Sequence, residues 1–217
     1  MEKIIKKSLD CFDFVDLIEE DVNLWITDPP YPFDNTNGKN RFKYVDGVDG
    51  MYKRLTYSEL TDFYKKMYDK SAQGAGAYVF CNRDGLFFTK EGLEKSGWTF
   101  RNILVWDKKN IGMGYHWRNQ VEYIVYASKG KPSKFVVSKG NLFSYRKPTS
   151  SQLSAKPPEI WEDILLQASG ENFVVADPFA GTDPLSQALV KNPSLYQKIN
   201  KSYSNIFIEN TEKEEDV

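Results

Sequence analysis

The 217-residue sequence is poor in the residues that build metal centres and disulfide frameworks, with two cysteines, Cys11 and Cys81, and a single histidine, His116. Two thiols allow one cross-link at most, and with one imidazole they fall short of a four-ligand zinc site, so no metal is expected. Long apolar runs are missing too: nothing approaches the roughly 20 consecutive residues that span a bilayer. The opening Met1-Glu2-Lys3-Ile4-Ile5-Lys6-Lys7 carries cations with no apolar stretch behind them, which argues against a signal peptide. A cytoplasmic protein without a membrane partner is expected. There is no surplus of charge either. Twenty-nine Lys and Arg balance 30 Asp and Glu to a net charge of −1, which excludes coating of nucleic acid by bulk attraction but leaves room for local patches.

What is present reads as one α/β domain. Apolar spacing predicts a helix from Phe12 to Ile18, a strand over Val22 to Thr27 and an amphipathic helix from Tyr57 to Lys70 capped by Thr56 or Ser58. Gly74-Ala75-Gly76 reads as a break before a short strand, Ala77 to Cys81. A helix follows at about Gly85 to Lys95, then strands Arg101 to Trp106 and Gln120 to Ala127. Pro158 to Ser169 reads as a helix, Phe173 to Ala176 as a strand, Pro184 to Val190 as a helix and Asn205 to Ile208 as a strand, with residues 211–217 a frayed tail. Alternating strands and helices imply a largely parallel sheet covered on both faces.

Two stretches break the alternation. Residues 34–56 hold Lys39, Arg41, Lys43, Lys53 and Arg54 among Phe42, Tyr44 and Tyr52. Residues 128–155 hold Lys129, Lys131, Lys134, Lys139, Arg146 and Lys147 and no acid, interleaved with Phe135, Phe143 and Tyr145. Most charge runs are solvated loops. Cations mixed with aromatics also suit phosphate contact and base stacking, so both stretches are expected to touch nucleic acid.

Two motifs carry chemistry. Asp28-Pro29-Pro30-Tyr31 closes the Val22 to Thr27 strand. The prolines stiffen the backbone and leave carbonyls without competing N–H groups. The carboxylate accepts hydrogen bonds from an exocyclic amine, and the tyrosine offers a ring for stacking. The second motif, Asp177-Pro178-Phe179-Ala180-Gly181-Thr182-Asp183-Pro184, joins a strand to a helix through a glycine turn. Turns of this kind at the C-terminal edge of open α/β sheets bind nucleotide-like cofactors, and Glu209 at the end of the next strand is placed to accept ribose hydroxyl protons.

With these residues the chain resembles the S-adenosylmethionine-dependent DNA amino-methyltransferases, more narrowly their permuted β group, in which the catalytic motif precedes the cofactor motif. The resemblance implies a Rossmann-like methyltransferase fold with a mostly parallel, seven-stranded sheet. It implies Asp28, Pro29, Pro30 and Tyr31 as the catalytic tetrapeptide. Asp10 and Cys11, in Ser8-Leu9-Asp10-Cys11-Phe12, would lie near the cofactor adenine. Lys156 and Pro157 resemble the Lys-Pro motif beside the cofactor's methionine. Asp177, Phe179, Ala180, Gly181, Thr182 and Asp183 would form the cofactor loop, with Glu209 on the ribose and Asp28 also at the cofactor. Gly112 to Gln120 and the strand after it resemble the turn and strand flanking the target-base pocket, where Arg118 would reach a phosphate and Tyr115 and Trp117 would line the pocket or pack in the core.

The sequence departs from the family pattern at Thr182-Asp183-Pro184, where relatives continue with a second glycine, and in the long interval to Glu209. Asp183 either caps the following helix or repels the carboxylate of the cofactor's methionine. The expected reaction is methylation of adenine N6 in DNA after base flipping, in a bacterial or phage-infected cell. The alternatives are cytosine N4 as acceptor and a degenerate relative that binds DNA or a partner without catalysis. The short insert implies a short or relaxed target, or specificity supplied by a homodimer or a partner subunit.

Overall fold

The computed structural model of the chain describes residues 3–7, 9–19, 21–30, 55–112, 115–133, 138–148, 155–166, 173–181, 184–191 and 206–211. In chain order these form β1 (Lys3–Lys7), α1 (Cys11–Asp16), β2 (Val22–Thr27), α2 (Tyr57–Asp69), β3 (Ser71–Cys81) and α3 (Leu86–Lys95). They continue with β4 (Thr99–Asp107), β5 (Val121–Ser128), β6 (Leu142–Ser144), α4 (Pro158–Leu165), β7 (Val174–Gly181), α5 (Pro184–Lys191) and β8 (Ile206–Thr211). The strands make a single sheet in the order β1-β8-β7-β2-β3-β5-β4-β6. Only β5 is reversed: it pairs antiparallel with β3 and β4, and every other pairing is parallel. The mostly parallel α/β sheet meets the expectation. The strand number is corrected, since eight strands are found among the described residues where seven were expected.

The apolar run of β2 explains its central place. Trp25 and Ile26 are both fully buried, yet successive side chains of a strand point to opposite faces. Trp25 packs with Phe14, Phe63 and Met67 of α1 and α2 on one side, while Ile26 packs with Trp161, Ile164 and Leu185 of α4 and α5 on the other. A strand buried on both faces needs consecutive apolar residues, which Leu24, Trp25 and Ile26 provide, while Asn23 accepts from the Val174 N–H at 2.8 Å. The Trp25 indole N–H finds its partner in Ser71 Oγ at 2.8 Å.

Thr56 starts α2 with a reciprocal cap: its hydroxyl accepts from the Glu59 N–H at 3.2 Å, and the Glu59 carboxylate accepts from the Thr56 N–H at 2.7 Å. Such a cap stabilises a helix by about 1 kcal/mol. Gly74, read as part of a break between α2 and a strand starting at Ala77, lies inside β3, which already begins at Ser71. It takes φ of 83° within β3, donates its N–H to the Lys129 carbonyl at 2.9 Å, and the register against β2 shifts there. A glycine in the left-handed region produces an irregular ladder rather than a stop.

Candidate active site

The sheet order fixes where a site belongs. From β2 the chain moves to β3 on one side, and from β7 to β8 on the other, so the direction of travel reverses between the neighbours β2 and β7. Open α/β sheets bind ligands in the crevice beyond the carboxyl ends of strands at such a point. The two chemical motifs stand there. Leu24 pairs with Val175 and Trp25 with Ala176, so Asp28 leaves the sheet beside the segment Asp177 to Gly181. Pro29 and Pro30 lead the chain away without a donor to compete for the carbonyls.

Asp28 lies in an ionic cluster. Its side chain is 17% exposed, and its Oδ2 accepts from the Nζ of Lys156, itself only 7% exposed. Lys156 Nζ also stands 3.4 Å from Oε2 of Glu122, whose Oε1 accepts from Lys108 Nζ at 3.2 Å. Four segments supply these groups: the end of β2, the end of β4, the start of β5 and the residue before Pro157, the N-cap of α4. The reversal of β5 is what brings Glu122, near the strand's beginning, to the edge where β2 and β4 end. Beneath the ammonium the Phe80 ring lies 5.7 Å away, and that ring stacks on Trp161 at 4.9 Å with planes 15° apart.

The charges sustain one another. Burial alone would push the Lys156 ammonium down, but the carboxylates of Asp28 and Glu122 override it and hold the pKa above the ordinary lysine value. Burial would push the Glu122 carboxyl up, and Lys156 and Lys108 override that, holding it below the ordinary range. Lys147, beyond β6, is lowered by burial and by the Lys156 and Lys108 charges, against the pull of Glu122. The Cys81 thiol beside the cluster is pushed up to about 12, first by burial and then by the charges of Asp28 and Glu122. It is 1% exposed and belongs to the core, as a nucleophile would not.

On the β7 side, Asp177 is fully buried and its Oδ1 accepts from the Phe179 N–H at 3.1 Å. Ala180 is buried, and Gly181 takes φ of 53°, which a side chain would resist. Asp177 stands opposite Glu209 of β8 in the register, and Lys6 of β1 stands opposite Glu209 on its other side. Asp10, three residues beyond β1, caps α1 by accepting from the Phe12 N–H at 3.0 Å, while the Cys11 side chain is in the core. The ends of β1, β8, β7 and β2 thus present Asp10, Glu209, Asp177 and Asp28 along one edge. Lys156, expected beside the cofactor, is joined to Asp28. Pro157 is buried at the start of α4.

The expected cations separate into two groups. Arg146 and Lys147 follow β6, which runs parallel to β4, and so stand at the Asp28 edge. Lys129 and Lys131 follow the end of β5 and so lie at the opposite edge, away from the site. Lys129 donates to the carbonyls of Tyr68 and Ser71 at 2.8 and 2.7 Å, and its ammonium lies 4.7 Å over the Tyr68 ring. Arg118 is spent on its own hairpin between β4 and β5, donating to the Gly112 carbonyl at 2.7 Å. That hairpin projects from the Asp28 edge with Tyr115 92% and Trp117 98% exposed, so neither packs in the core. Tyr31, Lys39, Arg41, Lys43, Lys53, Arg54, Lys134, Thr182 and Asp183 lie outside the described residues.

Sequence reasoning did not single out Glu122 and Lys108. The signal for Glu122 was an acid inside the apolar run Val121 to Ala127, since a charge in a strand covered on both faces demands a partner.

Known proteins share both the sequence pattern and the fold. Residues 22–207 match the family of N6 and N4 DNA methylases. Over 84 residues the chain is 30% identical to the type II methyltransferase M.HhaII of Haemophilus parahaemolyticus, a match covering 37% of each protein. The fold is shared with the M1.HpyAVI–SAM complex at a TM-score of 0.64 and 17% identity, over 95% of this chain and 92% of that one. It is shared with TTHA0409 of Thermus thermophilus in complex with S-adenosyl-L-methionine at a TM-score of 0.59 and 16% identity, over 96% and 89%.

Proposed function

Because the chain belongs to the N6/N4 DNA methylase family, we propose that it methylates DNA, taking the methyl group from S-adenosylmethionine and placing it on N6 of an adenine swung out of the helix. The observation that carries this reading is the junction of Asp28 with the Asp177 to Gly181 segment across neighbouring strands. The aspartate that leads the tetrapeptide favours adenine over cytosine, by resemblance to the family's adenine enzymes.

The residues present fit the cofactor. A nucleoside with ribose hydroxyls needs acceptors, and the edge offers the carboxylates of Asp10 and Asp177 with Glu209 next in register. It needs close approach to the backbone, and Gly181 has no Cβ to prevent it. Phe179, Ala180, Thr182 and Asp183 complete the loop, with Cys11 and Pro157 contributing backbone. The bound cofactor supplies an electrophilic methyl on a sulfonium sulfur, and transfer leaves a neutral thioether and one proton to be shed by the amine.

The chain's own groups prepare the amine. Its lone pair is delocalised into the base, and hydrogen bonds from N6–H to Asp28 and to the Pro29 carbonyl favour a pyramidal nitrogen with the pair localised. The nearby Lys156 ammonium keeps Asp28 ionised, so the carboxylate meets the amine as a hydrogen-bond acceptor and not as a strong base. Tyr31 stacks on the extruded ring. Extrusion costs a few kcal/mol, offset by aromatic and cationic contacts. Tyr115 and Trp117 provide exposed rings at the right edge, and Arg146, Lys147 and the cations of residues 34–56 provide phosphate contacts. A single domain carries all of this, with target choice shared with a second copy or another subunit.

The test is methyl transfer from labelled S-adenosylmethionine to genomic DNA followed by digestion to nucleosides. N6-methyladenine is expected. N4-methylcytosine would reassign the acceptor, and no methylated base together with no heat of cofactor binding would replace the enzyme with a DNA-binding relative.

A further inference from the structure

We infer that Glu122 is a positioning residue for methyl transfer: it receives the Lys156 ammonium when Asp28 turns its carboxylate to the target amine. The inference rests on the methyltransferase reading above and concerns a step which that reading leaves open. Asp28 has to turn its carboxylate toward the incoming amine, and that turn draws Oδ2 away from the Lys156 ammonium it now holds. Lys156 is nearly enclosed, so its charge cannot be left without a counter-ion while Asp28 is occupied.

The geometry supplies the second counter-ion. Glu122 Oε2 stands 3.4 Å from Lys156 Nζ, beyond the 2.7–2.9 Å of a full charge-assisted bond. A shift of the ammonium by about 0.6 Å closes that gap. The lysine stem is the part suited to move. Glu122 is held in the ladder opposite Trp106 of β4, next to Tyr123, which pairs with Cys81 of β3, and its other oxygen is tied to Lys108. Phe80, beneath the ammonium, is fixed by stacking on Trp161 and presents the same π face throughout the movement.

The exchange leaves the charge balance unchanged. Asp28, Glu122, Lys156 and Lys108 contribute two negative and two positive charges, and a neutral adenine adds none. Lys147 lies near enough to feel the cluster, and Cys81 stays protonated beside it. With a neutral side chain at 122, Lys156 has lost its alternative among the described carboxylates and holds Asp28 back from the amine.

The experiment measures single-turnover transfer to DNA by the wild-type chain, Glu122→Gln, Glu122→Asp, Lys156→Met and the Glu122→Gln/Lys156→Met double variant. Cofactor calorimetry and DNA binding are measured on each. Glu122→Gln is expected to slow transfer on the order of 100-fold with cofactor and DNA affinities unchanged, as for a misplaced reacting group. Glu122→Asp retains most of the rate because it keeps the charge. In the Lys156→Met background the Glu122→Gln change has no further effect, since no ammonium remains to be received. A wild-type chain that transfers no methyl defeats the methyltransferase reading itself. With an active wild type, the inference is overturned by a Glu122→Gln variant as fast as wild type, by a Glu122→Asp variant as slow as Glu122→Gln, or by losses that multiply independently in the double variant.

Discussion

The Lys156 ammonium and the Asp28 carboxylate form an ion pair across 128 residues of sequence, at the point where the sheet reverses its order. Opposite charges with so little exposure depend on each other for stability. Removing one leaves the other with its desolvation uncompensated.

Lys156→Met is therefore expected to lower unfolding stability by about 3 kcal/mol, read as a shift of the urea midpoint at unchanged slope. Adding Asp28→Asn should restore much of that stability without restoring transfer. Equal stability of the wild type and Lys156→Met would mean the pair is solvated.

Asp28→Ala should bind S-adenosylmethionine in a calorimeter and transfer essentially no methyl group, because the acceptor for the amine is gone while the Asp177 to Gly181 segment is intact. Normal turnover in this variant would dispose of the hydrogen-bond mechanism.

Trp117 is 98% exposed, so Trp117→Ala should leave the thermal midpoint unchanged. If the ring stacks on a base, DNA affinity falls by about 1–3 kcal/mol. Titration of a labelled duplex measures this, and undiminished affinity would remove the hairpin from the interface.

The cluster also sets a pH dependence. Glu122 has a folded pKa below the ordinary 4.5, so its contribution is complete above 4.5 and is lost as pH falls through the lower folded value. Lys156 has a folded pKa above 10.5, so its contribution is complete below 10.5 and is lost as pH rises through the higher one. Stability from this source is flat between those limits. Glu122→Gln should make the acid decline of the urea midpoint shallower than in the wild type, and an unchanged acid limb would show that Glu122 is not coupled to Lys156.

Cys81→Ala should keep its methyl-transfer activity, because a thiol pushed up to about 12 and buried in the core forms no intermediate. Abolished transfer in a folded Cys81→Ala protein would contradict this.

Contiguous signals were legible in the sequence. The apolar runs of β2 and β7 and the motifs at their ends could be read because each lies within a dozen residues. The strand β1 was missed because three of its five residues are lysines, and β6 because three residues carry no pattern. Gly74 to Gly76 read as the break between helix and strand, and so hid the first residues of β3, because composition does not tell a bulge from a break. The alliance of Asp28, Lys156 and Glu122 had no sequence signature, since it is assembled by strand order from three distant segments. Lys129 and Lys147 look alike in composition, yet the direction of β5 and β6 sends them to opposite ends of the sheet. Charge runs report sign and not location.

The reversal of β5, the one antiparallel strand among the described residues, sets Glu122 inside the sheet and the exposed hairpin ahead of it outside. The ladder with β4 holds Glu122 opposite Trp106, and the ladder with β3 holds its neighbour Tyr123 opposite Cys81, so changes in the hairpin ahead of them are expected to leave the carboxylate in place. Substitutions confined to that loop are expected to leave the Asp28, Lys156 and Glu122 cluster undisturbed.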